Sequence, residues 1–344
     1  MIQIYKREAG RVVPAASAEG PCWIDVRNVT KEEFSLFETE YGIHPDHLQD
    51  ILDIDEQPRV EMEDDYTMVV MRLPAHDPAQ EVSYFTVPVG IFLFSERIVT
   101  ICQSDSEALS GLVTNRVKDF DVRNRAAFVL RLLGRASIVY LRYLKEINRR
   151  SSAIERDLQR SVKNNELVQL LSLQKSLVFF TTSLRSNEIM IEKLKGDRAL
   201  KFRDAESELY EDVMTDNRQA IEMANIYSDI LTGMMDAFAS VISNNLNMVM
   251  KRLTIISIVL MVPTFVVSIF GMNVDLPFQH APWAFPAVMG LSALTAGAST
   301  LLLRDRRPAS PALPSPMPAR KKKTPRQGIL MARRGTRRSR TMEK

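Results

Sequence analysis

Between Lys251 and Asn273 the chain reads KRLTIISIVLMVPTFVVSIFGMN, and from Leu253 to Val274 it carries no charged side chain. As a helix rising ~1.5 Å per residue, that run is long enough to cross a hydrocarbon core of ~30 Å. It is not a plain anchor. Thr254, Ser257, Thr264 and Ser268 interrupt it, Pro263 removes one backbone hydrogen bond, and it stops at Gly271-Met272-Asn273. Hydroxyls and proline are tolerated in lipid where another helix or water satisfies the groups they leave open. The segment is therefore expected to pack against copies of itself or to line something wet.

A second uncharged stretch, 281–303, follows a short polar break at 275–280 and ends at Arg304. Gly290, Ala293, Ala296, Gly297 and Ala298 give it a small-residue face suited to close helix packing, and Trp283 suits a lipid–water boundary. Lys251 and Arg252 flank the first span, and Arg304, Arg306 and Arg307 the second; the loop between has neither Lys nor Arg. The positive-inside rule places both termini in the cytoplasm and the loop outside.

Charge divides the same way. From Arg304 onward fourteen Lys and Arg face two acids, a balance of +12; against a chain total of +3, that leaves −9 for the first 303 residues. The tail 304–344, rich in Pro, Ala, Ser and basic residues, is expected to be disordered and to meet anionic lipid headgroups, not nucleic acid. Two cysteines, Cys22 and Cys102, and four scattered histidines exclude a disulfide framework and a soft-ligand metal cluster. No signal-peptide core opens the chain, so the bulk of it is expected in the cytosol.

Residues 1–110 read as an α/β domain. Strand candidates are Cys22–Val26, Tyr66–Leu73, Glu81–Val89, Val89–Phe94 after a break at Gly90, and Ile98–Gln103, with a hairpin turn at Ser95-Glu96-Arg97. Thr30-Lys31-Glu32-Glu33 has the form of a capping box that opens a helix. A second helix from Pro45 is expected to carry Leu48, Ile51 and Leu52 inward. Residues 111–250 read as a helical hairpin, turning at Lys163-Asn164-Asn165, followed by a long stalk helix. The apolar positions Phe128, Leu132, Leu133 and Ala136 share one face. Leu167, Leu170, Leu171, Leu177, Leu184 and Ile191 repeat on the return helix. Ala205 to Val262 holds no proline, and its apolar series Leu209, Val213, Met223, Ile226, Ile230, Met234 and Phe238 runs into the first span 251–274 without a stop signal. One helix is predicted from Ala205 to Phe270, roughly 100 Å long at ~1.5 Å per residue. Alone in water it would not be stable, so it must be bundled. The fold class is α+β with two membrane helices at the C-terminal end.

PCWIDV (Pro21–Val26), GIHPDHLQDILDIDEQPRVE (Gly42–Glu61), NMVMKRLTII (Asn247–Ile256) and PTF…FGMN (Pro263–Asn273) together resemble the CorA family of divalent-cation channels. The resemblance implies a homopentamer whose first span lines a central pore. Gly271, Met272 and Asn273 would form the outer mouth, with Thr264, Met261, Leu253, Met250 and Asn247 lining the path below. By spacing alone Met250, Leu253 and Met261 fit lipid-facing or packing roles equally; the resemblance assigns them to the pore. Asp50 and Asp212 match its regulatory metal pair, in which carboxylates of neighbouring protomers bind cytoplasmic Mg²⁺, and Asp236 matches an acid at the cytoplasmic entrance. Mg²⁺ would be both the transported and the regulatory ion, with no cofactor.

Two features differ from the magnesium branch: the external loop has Asp275 as its only acid, and Gln49 stands beside Asp50 where relatives often place glutamate. They keep open a Zn²⁺, Co²⁺ or Ni²⁺ transporter of the related zinc branch, and a non-conducting helical scaffold is a second alternative. His44 and His47 have metal-ligand spacing, but no third ligand is evident, which favours a capping or surface role. No phosphate-binding loop, nucleophile elbow or HExxH pattern occurs, so an enzyme is not expected.

Overall fold

A computed structural model of the chain describes residues 1–8, 11–29, 33–113, 123–160, 164–196, 202–272 and 281–303. Close contacts group it into two units, Met1–Leu246 and Asn247–Lys344.

The first unit is built on a seven-stranded sheet: β1 (Ile2–Glu8), β2 (Arg11–Ala15), β3 (Cys22–Arg27), β4 (Arg59–Met62), β5 (Thr67–His76), β6 (Tyr84–Leu93) and β7 (Arg97–Cys102). Their order is β2-β1-β3-β7-β6-β5-β4, antiparallel throughout except for β3 beside β7. Helices cover both faces, which is why the central strands are continuous apolar runs. The period of two still sorts the side chains. Val69, Met71 and Leu73 of β5 join the core under the long helices, whereas Met68 and Val70 join the core under the short ones.

The short helices are α1 (Phe34–Tyr41) and α2 (Pro45–Leu52). Glu33, not Thr30, is the N-cap of α1, without a side-chain capping bond; Thr30, Lys31 and Glu32 lie outside the described residues. Gly42 ends α1 in the left-handed conformation, φ 68°, and its N–H and that of Ile43 return to Glu38 and Phe37 carbonyls. This reversal sets the direction of α2, which buries Leu48 and Ile51. Leu52, expected inward, is only half-buried, and His47 takes an inward position.

Gly90 does not break a strand. β6 runs through it, paired with Val70 on one side and Ile101 on the other. Its missing side chain is occupied by Ile51, whose Cδ1 would lie 2.0 Å from an added Cβ. A strand glycine here marks the place where α2 settles onto the sheet. The predicted turn at Ser95-Glu96-Arg97 is present, closed by the Phe94 N–H on the Arg97 carbonyl at 3.0 Å.

On the other face lie α3 (Glu107–Val113), α4 (Arg125–Arg160), α5 (Asn164–Gly196) and the first part of α6 (Asp204–Phe270). Asn164 begins α5, and Lys163 is outside the described residues. Phe128, Leu132, Leu133 and Ala136 of α4 are buried with Leu170, Leu177, Leu184 and Ile191 of α5 and with Val213 and Phe238 of α6. Leu171, Ile226 and Ile230, expected on packed faces, are exposed: within one chain their side of the helices has nothing to pack on.

Asn187 of α5 fastens helix to sheet. Its side-chain amide accepts the Arg72 N–H at 2.9 Å and donates to the Arg72 carbonyl at 2.8 Å. β4 stops pairing at Arg59–Val70, two residues short of Arg72. The amide therefore completes the ladder on the side where β4 has ended.

Candidate functional site

α6 continues through the unit boundary as one helix to Phe270, with Pro263 inside it. In the second unit its hydroxyl residues and Asn247 fall on one stripe with Met250, Met261 and Gly271. Asn247, Met250, Thr254, Ser257, Met261, Thr264, Ser268 and Gly271 recur at alternating intervals of three and four. At ~100° per residue such spacing keeps a seam on one side of a helix. Every member of the stripe is exposed, while Ile255, Ile258, Val259, Val262 and Val266, on the opposite side, are half-buried. Leu253 lies beside the stripe and is 57% exposed.

Three of the four hydroxyls on the stripe are satisfied without a second helix. Thr254, Ser257 and Thr264 donate to the carbonyls four residues back, Met250, Leu253 and Leu260, at 2.9, 3.0 and 2.7 Å. Their protons are used and their oxygens remain acceptors on the outer surface, which suits contact with water around a cation. Ser257, Leu260, Met261, Thr264, Phe265 and Ser268 line a surface hollow of about 480 Å³.

At the end of α6, the Gly271 N–H returns to Val267 and Ser268 and the Met272 N–H to Ile269. Asn273, the third member of the expected mouth, lies outside the described residues, as do 274–280 and 304–344. Helix α7 (Ala284–Leu303) meets α6 at this end: Val267, Phe270 and Gly271 share a cleft of about 310 Å³ with Ala284, Phe285, Val288 and Met289.

By length and composition α5, α6 and α7 are all apolar enough to span a bilayer. Packing separates them. The apolar window of α5 is 39% buried within the chain, against 0% for α6 and 6% for α7. Leu170, Leu173, Leu177, Phe180 and Leu184 of α5 are already committed to the core beneath the sheet.

The expected regulatory carboxylates sit in the first unit. Asp50, near the end of α2, is bound by the Arg59 guanidinium at 2.6 Å, and the other nitrogens of Arg59 hold Glu56 and Glu61. Asp212 and Asp236 are exposed on α6. One group escapes a reading of the sequence. Among the described residues, His47, Glu61 and Glu63 are the set of three whose ligand atoms all lie within 4.8 Å of one another. Glu61 is in β4 and Glu63 follows its end, so the sequence carries no local sign that both reach His47. His44 is engaged elsewhere, as the cap of α2, with its Nδ1 accepting the Asp46 N–H at 3.3 Å.

Deeper in the sheet, Asp25 accepts hydrogen bonds from Thr100 and Arg27, and Thr100 in turn accepts from Trp23. This closed network ties β3 to β7, and the buried carboxylate is spoken for. Burial pushes the Cys102 thiol up to about 11, so it is an inert core group.

A profile of the family described as "CorA-like Mg2+ transporter protein" matches residues 18–307, from just before β3 through α7. The chain belongs to the CorA family. Similar to it is the cobalt/magnesium transport protein CorA of Methanocaldococcus jannaschii, 28% identical over 274 residues covering 78% of this chain and 85% of the relative. The cobalt/magnesium transport protein CorA of Thermotoga maritima is 23% identical over 296 residues, 83% of this chain and 82% of that one. The solved complete structure of the M. jannaschii CorA magnesium transporter superposes with a TM-score of 0.75 at 25% identity, covering 89% of this chain and 98% of that one. The cytoplasmic domain of ZntB from Vibrio parahaemolyticus shares the fold over 71% of this CorA-family chain and 97% of its own length, at 12% identity and a TM-score of 0.54.

Proposed function

We propose that this chain assembles as a homopentamer in the inner or plasma membrane and conducts divalent cations, Mg²⁺ foremost. α6 from Lys251 onward lines the pore, α7 packs outside it, and both termini face the cytoplasm. The observation that carries the reading is the exposed three-four stripe from Asn247 to Gly271 on a helix that carries no charge from Leu253 onward. A helix in lipid gains nothing by exposing hydroxyls and an amide along one seam; five such seams around a wet lumen account for it. Self-association is further supported by apolar side chains left exposed in the first unit, Leu171, Val178, Ile226 and Ile230 among them.

Mg²⁺ sheds its water reluctantly, so a ring of five Asn273 amides at the mouth acts by holding the hydration shell through hydrogen bonds. Thr264 and Asn247 offer the same kind of contact further along. Met250, Leu253 and Met261 supply an apolar constriction that can dewet and close. A dication crossing an inside-negative potential of about 100 mV gains roughly 4.6 kcal/mol, enough to support a concentration ratio of about 2,000. No ATP is needed, and a pore left open would overload the cell. Closure is supplied by cytoplasmic Mg²⁺ bridging Asp50 and Asp212 of adjacent protomers; when Mg²⁺ falls, carboxylate repulsion returns and the subunits part. Asp236 concentrates cations at the inner entrance.

Uptake of Mg²⁺ by a transport-deficient cell tests the proposal. The wild-type chain should restore it and Asn273→Ala should abolish it at equal membrane expression. Retained uptake by the variant would remove the mouth from the mechanism.

A further inference from the structure

Residues 44–47 carry two histidines, and only His44 is used as a cap. His47 is buried, 8% exposed, with its ring edge-on to Tyr66. The Tyr66 hydroxyl lies 2.9 Å from His47 Nδ1 and accepts the His44 backbone N–H at 3.1 Å. One ring nitrogen is thereby occupied, and the other is aimed at β4 and the turn that follows it. His47 Nε2 lies 3.0 Å from Glu61 Oε2 and 3.8 Å from Glu63 Oε1.

We propose that His47, Glu61 and Glu63 form a binding site for a transition-metal dication of the Zn²⁺, Co²⁺ or Ni²⁺ class, with water completing the coordination. Three ligand atoms at ~2.0–2.2 Å from a common ion stand about 3.3–3.5 Å apart in tetrahedral directions. The observed atoms, all within 4.8 Å of one another, reach that arrangement by side-chain rotation alone. The Glu63 side chain is 47% exposed and free to make the larger part of the movement.

The ligand types select the ion. Imidazole with two carboxylates suits Zn²⁺, Co²⁺ and Ni²⁺, whereas Mg²⁺ prefers oxygen and keeps its water. The outer contacts are already in place. With metal on Nε2, His47 Nδ1–H donates to the Tyr66 hydroxyl oxygen, which fixes the ring. The Arg59 Nε–H bonds Glu61 Oε1 and leaves Oε2 turned toward His47. Beside the site opens a cleft of about 320 Å³ lined by Glu38, His44, Glu63, Asp64, Asp65 and Tyr66; its carboxylates would draw cations in. A plain imidazole–carboxylate hydrogen bond accounts for Glu61 but gives no reason for Glu63 to face the same nitrogen. The site lies in the first unit and does not depend on conduction, so it can fail while the transport proposal stands, and the reverse.

The test is Co²⁺ binding to metal-stripped full-length protein in detergent with Mg²⁺ in large excess, read by equilibrium dialysis and by the visible absorption of Co²⁺. The wild-type protein should bind one more Co²⁺ per chain than His47→Gln or Glu63→Gln, or bind that equivalent at least about tenfold more tightly. Glu63→Gln keeps the comparison valid if His47→Gln fails to fold, because residue 63 is half-exposed. Equal Co²⁺ stoichiometry and affinity in wild type and Glu63→Gln would overturn the proposal. So would loss of the bound Co²⁺ to an equal concentration of Mg²⁺.

Discussion

If Asp50 holds regulatory Mg²⁺ as proposed, Arg59→Met isolates the charge that competes with the ion there. The Arg59 guanidinium lies 2.6 Å from Asp50 Oδ2 and also holds Glu56 and Glu61. A hydrated Mg²⁺ bound to Asp50 through one of its own waters would stand about 6 Å from that guanidinium. Taking ε as about 80 for these partly exposed side chains, charges of +2 and +1 at about 6 Å repel by about 1.4 kcal/mol. Screening over a Debye length of about 8 Å roughly halves this, to about 0.7 kcal/mol. Removing the guanidinium should therefore tighten Mg²⁺ binding about three- to tenfold. The freed Glu56 and Glu61 act in the same direction, so the sign is unambiguous. Side-chain exposures of 25% for Arg59 and 40% for Asp50 mean that the lost pairing is solvent-screened. Its cost to stability is within about 1 kcal/mol, and the fold survives. The assay is the internal Mg²⁺ concentration that halves flux into proteoliposomes, with Mg²⁺ the only dication present. A lower half-inhibiting concentration is expected. An unchanged or higher value would refute the argument that Arg59 occupies the sensor in competition with the ion.

Gly90→Ala should destabilise the first unit by about 1–3 kcal/mol, because its Cβ would meet the buried Ile51 side chain at 2.0 and 2.7 Å. An unchanged urea midpoint would show that α2 is not seated there. At Glu107, partial burial pushes the carboxyl up, but the hydrogen bonds from Arg142 and Tyr143 and the Arg142 charge outweigh it, leaving it below the usual carboxylate range. A depressed folded pKa contributes stability present above the unfolded value and lost as pH falls through the folded one. Glu107→Gln should thus lower the midpoint at neutral pH and lose less on acidification; the same pH dependence in both proteins would contradict it.

The central strands are legible in the sequence because helices on both faces demand uninterrupted apolar runs, as at Val87–Leu93 and Ile98–Cys102. β1, β2 and β4 are not legible as strands. They lie at or near the edges of the sheet, and IQIYKRE, RVVPA and RVEM are polar or proline-containing there, as edges require. Gly90 looks like punctuation because a single sequence does not show which side chain fills the space beside a glycine. Helical periodicity identifies faces but not partners: Ile226 and Ile230 lie on the expected kind of stripe and face outward from one chain. The polar stripe proposed to line a pore is legible as interruptions of an apolar run, though its regular three-four spacing becomes meaningful only once α6 is known to run unbroken through Pro263. The grouping of His47 with Glu61 and Glu63 depends on how β4 lies beside α2, and no local pattern records that. The match of the CorA-family profile to residues 18–307 spans these elements from β3 onward, while the role proposed for Asn273 rests on the sequence motif.

Conduction itself is the claim to measure. Purified protein in sealed vesicles loaded with a Mg²⁺-sensitive dye should pass Mg²⁺ when an inside-negative potential is imposed, at a rate that rises with that potential. Vesicles that hold intact, correctly oligomerised protein yet stay impermeable to Mg²⁺, Co²⁺, Ni²⁺ and Zn²⁺ would contradict the account.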